Sequence, residues 1–379
     1  TSITIPDSVT SISTTAFFGC TGLTSIVVSE GNPKYHVSGN CLIETATKTI
    51  ILGLNNSVIP SDDSVTSIAF GAFKNRKKLT SITIPDSVTS IGSQAFSGCT
   101  GLTSILIGNG VINIGYGAFL GCKNITSITI PENVTSIDYA AFYNCDKLAL
   151  VNWNAISCIK AGGNYDNNDL ASIFGGKYSN LYRINIGENV EVIPDNAFRD
   201  GCTQVRYVNI LSTKLKTIGK NAFDSCINLT SITIPDSVTS IGDRAFVDCR
   251  GLTNVVIGNG VTSIGICAFQ NCKKLTSITI PDSVTSIGGS AFYNCTSLTN
   301  VVMGNGVTSM GGNIFTGTPW YSNQPDGPIY INNMFYRYKG TMPENTSITL
   351  KDGTVCLSGS AFSGCTNLTS ITIHDSVTS

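Results

Sequence analysis

Cysteine is the reactive residue that this sequence uses most systematically. No two cysteines lie three residues apart, so the C-x-x-C pairs typical of zinc sites are missing and we predict no bound metal. Side chains stacked in parallel point the same way, and a free cysteine is among the most buried residue types, so we predict buried thiols and no disulfides. Ten of the 14 cysteines share one place in a repeated phrase: Cys20, Cys99, Cys122, Cys145, Cys202, Cys226, Cys249, Cys272, Cys295 and Cys365.

Groups suited to acid–base catalysis are sparse. Histidine occurs only at His36 and His374, and the second stands where other repeats have proline. No GxSxG motif occurs, and the Gly-Lys steps at 176–177 and 219–220 lack the earlier glycine of a phosphate-binding loop. Three acidic pairs could serve a glycosidase but are more typical of turns: Asp62 with Asp63, Asp166 with Asp169, and Glu188 with Glu191. We therefore predict that the chain is not an enzyme and needs no cofactor.

The composition narrows the classes of partner. Only 12% of residues are charged, with 23 basic against 24 acidic, so no field is strong enough to attract nucleic acid. The one basic run, at 74–78, is typical of a solvated loop. No apolar stretch reaches the ~18 residues of a membrane helix. No signal peptide opens the chain, but both ends lie inside a repeat, so they say little about location.

One phrase of 23 residues, LTSITIPDSVTSIGxxAFxxCxx, recurs along the chain. Its alternation predicts a strand with Ile82 and Ile84 on one face and Ser81 and Thr83 on the other. A PDS or GNG turn follows, then a second short strand, then a helical turn at A-F-x-x-C. PDS and GNG alternate between neighbouring phrases, as duplication of a two-repeat unit would explain. A unit this short cannot bury its own apolar face, so the coils must stack.

The phrases at 79–99, 229–249 and 275–295 resemble the BspA-like, or Treponema-type, leucine-rich repeat, LxxIxIPxxVxxIGxxAFxxC. The passages at 32–51 and 317–343 also look like segments of such proteins from gut bacteria. The resemblance implies a surface or secreted location, and some members are implicated in adhesion to host proteins or other cells. We therefore predict an α/β, mostly-β leucine-rich-repeat solenoid over 1–379, with about twelve 23-residue coils, parallel stacked strands and short helical turns.

Three inserts interrupt the repeat, near 30–60, 151–180 and 317–343. The first contains Tyr35 and a segment, CLIETATKTIIL, that favours a hairpin packed over the edge of a coil or projecting from it. The second contains Trp153 and LASIF, with Asn168 and Asp169 as helix caps and Gly175-Gly176 as a stop, and it predicts a short surface helix. The third is rich in aromatic residues, including Trp320, Tyr321 and Tyr336, which suit either ligand contacts or a small core of its own.

These patterns favour a non-catalytic recognition scaffold that binds an unidentified protein or glycan. The candidate ligand contacts are the aromatic residues of the inserts, Tyr35, Trp153, Trp320, Tyr321 and Tyr336, together with the outward residues Ser81, Thr83, Ser231, Thr233, Ser277 and Thr279. The inserts should carry most specificity, because interface energy concentrates in Trp, Tyr and Arg. Two alternatives stay open: a spacer that displays another domain, and a glycan or lattice binder that uses Ser and Thr ladders.

Overall fold

A short coil of strand, turn, strand and turn is the building block of this protein. The computed structural model describes residues 1–162, 172–176 and 179–378. The chain forms two compact units, an N-terminal unit, Thr1–Ser212, and a C-terminal unit, Thr213–Ser379. The prediction of one solenoid over 1–379 stays a prediction.

The described part of the N-terminal unit is built from strands and turns. Its strands are β1 (Ser2–Ile5), β2 (Ser25–Val28), β3 (Tyr35–Ser38), β4 (Cys41–Glu44), β5 (Thr49–Leu52), β6 (Ser67–Ile68), β7 (Ser81–Ile84), β8 (Ser90–Ile91), β9 (Ser104–Ile107), β10 (Asn113–Ile114), β11 (Ser127–Ile130), β12 (Ser136–Ile137), β13 (Phe142–Tyr143), β14 (Leu150–Trp153), β15 (Lys160–Ala161), β16 (Phe174–Gly175), β17 (Arg183–Ile186), β18 (Val192–Ile193) and β19 (Tyr207–Ile210).

The C-terminal unit repeats this alternation and contains one short helix, α1 (Pro319–Ser322). Its strands are β20 (Thr217–Ile218), β21 (Ser231–Ile234), β22 (Ser240–Ile241), β23 (Asn254–Ile257), β24 (Ser263–Ile264), β25 (Ser277–Ile280), β26 (Ser286–Ile287), β27 (Asn300–Met303), β28 (Ser309–Met310), β29 (Gly327–Ile331), β30 (Met334–Lys339), β31 (Thr346–Thr349), β32 (Cys356–Leu357) and β33 (Leu368–Thr372).

Equivalent strands of neighbouring coils pair in parallel. In the N-terminal unit, Ser81 of β7 lies opposite Ser104 of β9, and β11, β14, β17 and β19 pair in that order. In the C-terminal unit, β25 pairs with β27, and the short strands β20, β22, β24, β26 and β28 form a row. This confirms the mostly-β, parallel-stacked solenoid. The turns number about 16 instead of about twelve, because the inserts contribute coils.

The segment around each Ala-Phe pair forms hydrogen-bonded turns and not the expected helical turn. Its N–H groups alternate in their acceptors: Ser97 donates to Gln94 O three residues back (3.0 Å), whereas Phe96 donates to Ala118 O of the next coil (2.7 Å). The residues two before and two after the buried Phe of an Ala-Phe pair take positive φ, as at Gln94 (54°) and Gly98 (73°). Asn and Gly recur at these places because they tolerate this conformation best, and the alternation prevents a helix from continuing.

A ladder of phenylalanine rings fills the interior of each unit. Phe96 and Phe119 stack with centroids 5.2 Å apart and planes inclined by 4°, and Phe269 and Phe292 stack at 5.3 Å and 2°. The N-terminal ladder consists of Phe73, Phe96, Phe119, Phe142, Phe174 and Phe198. The C-terminal ladder consists of Phe223, Phe246, Phe269, Phe292 and Phe315. These offset stacks follow directly from the coil repeat.

The first insert packs against the coils instead of projecting. Strands β3, β4 and β5 form an antiparallel meander, which confirms the predicted hairpin, and β5 then pairs in parallel with β6. Leu42, Leu52 and Leu54 of this segment are buried with Ile5 and Ile26 of the preceding coils. The insert therefore continues the stack.

The predicted surface helix in the second insert is wrong where the structure describes it. Phe174 is fully buried between Phe142 and Phe198, at 5.5 and 5.8 Å, and strand β16 pairs with β13. The Ile173-Phe174 pair therefore replaces the usual Ala-Phe pair, and both of its side chains belong to the interior. The predicted caps Asn168 and Asp169 lie outside the described residues.

The third insert is a hairpin with a short helix before it. Thr318 caps α1 by accepting the Tyr321 N–H at 3.1 Å, and β29 and β30 form an antiparallel pair. Strand β30 then pairs in parallel with β32, and Phe335 stacks on Phe362 at 4.7 Å. This segment has its own small core.

Alternation of the PDS and GNG turns has a steric cause. A Cβ on Gly260 would lie 1.8 Å from Asp236 O in the turn of the preceding coil, so only glycine fits there. The carboxylate of Asp236 accepts the Asn259 N–H at 2.7 Å. A PDS turn thus selects a GNG turn in the next coil, in addition to any duplication.

The cysteine ladder is a row of internal hydrogen-bond donors. All 14 cysteines are free thiols, and eight of the ten repeat cysteines are buried, whereas Cys20 is exposed and Cys365 half-buried. The Cys122 thiol donates to Phe96 O at 3.2 Å, and the Cys295 thiol donates to Phe269 O at 3.2 Å. Burial raises the pKa of the Cys145 thiol from its ordinary 9.0 to about 12. The predicted buried thiols are confirmed at these eight positions.

Replacing one ring of the ladder should destabilise the N-terminal unit strongly. We expect Phe96→Ala to lower the free energy of unfolding by about 3–5 kcal/mol, because it removes a fully buried ring and leaves a cavity. The control Phe70→Ala, at a ring that is 38% exposed and contacts Phe18, should cost about 1 kcal/mol. Urea unfolding measures both, and equal losses would contradict the ladder.

Thiol reactivity should separate the cysteines by burial. At pH 8 in native protein, iodoacetamide should modify Cys20 first, because a buried thiol with a raised pKa forms little thiolate. Peptide mass spectrometry should find Cys145 and Cys272 modified only after denaturation. Rapid native labelling of Cys145 would contradict its burial.

Alkaline pH should destabilise the fold. The pKa of the Cys145 thiol is about 12 in the folded chain and has the ordinary value of 9.0 in the unfolded chain, so stability is complete below about pH 8 and falls as pH rises towards 12. Urea unfolding between pH 8 and 11 measures this slope. The slope should be shallower in Cys145→Ala, and an unchanged slope would contradict the assignment.

Candidate functional site

The outward rows predicted from the sequence lie on the exposed strand face, although they are not uniform. Exposed positions include Ser81, Thr83, Ser231, Thr233, Ser277 and Thr279. The next coils place Leu106, Val256 and Val302 at the positions equivalent to these threonines. Hydroxyls therefore alternate with exposed aliphatic groups, and a continuous threonine row does not form.

Threonines directly before the strands use their hydroxyls internally. Thr103 Oγ1 donates to Thr80 O at 3.0 Å in the N-terminal unit, and Thr253 Oγ1 donates to Thr230 O at 3.0 Å in the C-terminal unit. These bonds tie each coil to its neighbour. The O–H group of such a threonine therefore already donates its hydrogen bond within the protein.

Two of the predicted aromatic contacts in the N-terminal unit belong to the core. Tyr35 is 4% exposed, and its hydroxyl accepts the Ile12 N–H at 2.9 Å. Trp153 is fully buried and meets Phe198 edge-on at 5.4 Å. Neither ring can contact a ligand while the coils stay folded.

The aromatic residues of the third insert form a cluster around Tyr336. Tyr336 is buried, its hydroxyl accepts the Phe315 N–H at 2.9 Å, and burial raises the pKa of this hydroxyl to about 12. Trp320 and Tyr321 are half-buried and lie 6.1 and 6.0 Å from the Tyr336 ring. Packing is thus the main role of Tyr336.

A different set of side chains breaks the outward pattern on β14, β17 and β19. Where other coils have Thr-Ser-x-Thr, these coils have Ala-Leu-x-Asn, Tyr-Arg-x-Asn and Arg-Tyr-x-Asn. Parallel pairing of the three strands brings these residues side by side. We name this surface the tyrosine–arginine–asparagine patch, which consists of Asn152, Tyr182, Arg183, Asn185, Arg206, Tyr207 and Asn209.

Arg183 lies beside two tyrosine rings at the centre of this patch. Its guanidinium carbon is 5.7 Å from the Tyr182 ring and 5.6 Å from the Tyr207 ring. The two rings meet edge to face, with centroids 6.2 Å apart. Cation–π attraction to both rings favours this position of the guanidinium.

The asparagines of the patch form a hydrogen-bonded ladder across the strands. Asn209 Nδ2 donates to Asn185 Oδ1 at 3.0 Å, and Asn185 Nδ2 donates to Asn152 Oδ1 at 2.9 Å. Each amide nitrogen carries two N–H groups, so each keeps a second donor for another partner. The ladder fixes the orientation of these amides.

A shallow depression opens at the entry to β17 and β19. Its volume is about 400 Å³, and its lining residues are Asn180, Tyr182, Gln204, Arg206 and Tyr207. Tyr182 is 42% exposed and Tyr207 is 45% exposed, so both rings are accessible. A volume of this size falls in the range of small-ligand sites, about 300–1,000 Å³.

The patch was missed from the sequence, although the sequence contains its signal. Comparing repeats by their consensus hides single coils that differ from it. A comparison of each outward position with its own consensus letter would have singled out Tyr182, Arg183 and Tyr207.

The residues considered for catalysis are dispersed or occupied. His36 Nδ1 lies 2.8 Å from Thr45 Oγ1, and His374 Nε2 lies 2.9 Å from Leu350 O. Asp62 accepts the Ser64 N–H at 3.2 Å in a turn. Over the described ranges, no three His, Cys, Asp or Glu side chains are grouped as metal ligands. Nor does any helix in those ranges have the length and hydropathy of a membrane span. The pair Asp166 and Asp169 lies outside them.

Three solved structures of leucine-rich repeat proteins resemble this chain. A leucine-rich cell surface protein from Faecalibacterium prausnitzii is 25% identical, with 76% of this chain and 93% of that chain covered and a TM-score of 0.32. A protein from Bacteroides ovatus is 25% identical over 75% of this chain and 90% of that chain, with a TM-score of 0.34. The T. pallidum protein is 22% identical over 58% of this chain and 87% of that chain, with a TM-score of 0.35.

Among curated proteins, none matches this chain. The BspA type leucine rich repeat region, by contrast, matches residues 1–62, 51–170, 170–226, 216–324 and 331–379. These ranges include nearly every residue. The chain therefore belongs to the BspA-type leucine-rich repeat family.

Proposed function

We propose that this chain is a non-catalytic recognition scaffold that binds its ligand through the tyrosine–arginine–asparagine patch. The observation that supports this is the replacement of the usual outward serines and threonines by Tyr, Arg and Asn on three neighbouring coils. Tyrosine and arginine supply much of the energy of known interfaces. We extend the proposal to a surface or secreted location and a role in adhesion, which the family resemblance supports.

The scaffold suits this role because the strands are held rigidly on both sides. Strand β17 pairs with β14 and β19, and its inward residues Ile184 and Ile186 are fully buried. Side chains on such a strand lose little conformational freedom when they bind. Per-coil variation on one face is a common way for solenoids to acquire a binding surface.

Neither alternative accounts for the patch. A spacer has no need of Tyr182, Arg183 and Tyr207 at three adjacent outward positions. A lattice binder needs an uninterrupted hydroxyl row, whereas Thr233 and Thr279 are separated by Val256. The predicted contacts at the serine and threonine rows remain proposals, secondary to the patch.

Returning the patch to the repeat consensus should abolish binding. We expect Tyr182→Thr/Arg183→Ser/Tyr207→Ser to weaken binding of fluorescent protein to immobilised epithelial mucin and to fixed epithelial cells by about 30-fold or more, because each lost anchor typically costs about 2 kcal/mol. The introduced threonine and serines already occupy the equivalent positions of other coils, so the variant should fold.

A matched control changes outward residues of the C-terminal unit in the same manner. Asn254→Ser/Val256→Thr also moves towards consensus and should bind as the parent chain does. Absence of binding by the parent chain to both probes, or equal loss in the two variants, would overturn the proposal.

A further inference from the structure

We infer that the patch recognises a sugar bearing a carboxylate, such as a uronic acid or a sialic acid. This inference rests on the proposed function of the patch and adds the chemical class of its ligand. It is carried by the charge, the rings, the amides and the shape of this surface.

Charge selects an anionic ligand. Among the outward positions of β11, β14, β17 and β19, counting the residue directly before each strand, the charged residues are Arg183 and Arg206, and none of these positions has a carboxylate. The remaining outward positions of these coils are neutral. Two positive charges among neutral side chains favour an anion at this surface.

The geometry around Arg183 favours a carboxylate over a small spherical anion. The Arg183 Nε is buried without a hydrogen-bond partner among the described residues, and the guanidinium carbon lies 5.7 and 5.6 Å from the rings of Tyr182 and Tyr207. Its planar terminal group is thus fixed in orientation. A guanidinium held in this way matches the two oxygens of a carboxylate through paired N–H donors.

The neighbouring groups match the rest of a sugar ring. The exposed faces of Tyr182 and Tyr207 carry negative quadrupole density, which attracts the slightly positive C–H groups on one face of a pyranose. Beside them, Asn185 and Asn209 each have an unused N–H that can donate to a hydroxyl oxygen. Aromatic faces next to primary amides suit alternating C–H and O–H groups.

Shape and pairing disfavour an acidic peptide. Peptides that bind sheets usually add a strand at a free edge, but β17 already pairs on both sides. The depression of about 400 Å³ beside Arg183 is lined by Asn180, Tyr182, Gln204, Arg206 and Tyr207, with no aliphatic side chain to form a pocket for a peptide residue. One or two sugar rings fit such a volume.

Calorimetric titration with defined probes tests the inference. The carboxylated probes are trigalacturonate and 3′-sialyllactose, their neutral counterparts are the trigalacturonate methyl ester and lactose, and hexaglutamate represents an acidic peptide. We expect at least one carboxylated sugar to bind with a Kd below about 1 mM and its neutral counterpart at least about tenfold more weakly. Comparing trigalacturonate with 3′-sialyllactose shows whether the ligand is a uronic acid or a sialic acid.

Variants then assign the binding to the patch. Arg183→Lys keeps the charge but loses the planar pair of N–H donors, and we expect it to weaken binding by about tenfold or more. Tyr207→Ser should weaken binding similarly, whereas Asn254→Ser/Val256→Thr should leave it unchanged. Binding that Arg183→Lys leaves intact would contradict carboxylate recognition by this guanidinium.

The remaining outcomes separate the two proposals. Hexaglutamate binding as strong as either sugar would overturn the sugar assignment in favour of an acidic peptide. Patch-dependent binding to mucin without binding of either carboxylated sugar would overturn this inference and leave the proposed function intact. If the patch variants bind every probe as well as the parent chain does, both the proposed function and this inference are wrong.

Discussion

Stacking of each coil on the next in register is the constraint on which the rest of this structure depends. A side chain in the interior touches the side chain at the same place in the neighbouring coil, as Phe96 touches Phe119 at 5.2 Å. The interior must therefore use one residue type at each place. A ring packs best on a ring, and only glycine leaves room where a carbonyl of the neighbouring coil approaches. Low sequence complexity follows from the geometry of the stack.

Much of the fold could be predicted from the sequence because interior residues repeat with the coil. The strands and the phenylalanine ladder follow from the period of 23 residues. The sequence was less informative where spacing departs from that period, as at Phe174, whose coil has Ile in place of Ala. The spacing of three residues between Phe96 and Cys99 fits a helical turn as well as the observed turns. The positive φ values and the hydrogen bonds to the next coil distinguish the two.

Outward positions follow a different rule, and this explains why the candidate site was harder to predict. Residues such as Ser81 contribute little to the interior, so substitutions there cost little stability. Function can therefore change these positions coil by coil, and a consensus hides the change. Tyr182, Arg183 and Tyr207 lie side by side only because β17 and β19 pair in register. Rigid strands and the asparagine ladder preorganise the patch before any ligand binds.

A crystal structure of the chain would test the stacking in register most directly, through the rings of Phe96, Phe119 and Phe142. The account predicts centroid distances of 5.2 and 5.1 Å with planes inclined by 4° and 6°. Rings separated by more than about 7 Å, beyond the range of aromatic pairs, would contradict it.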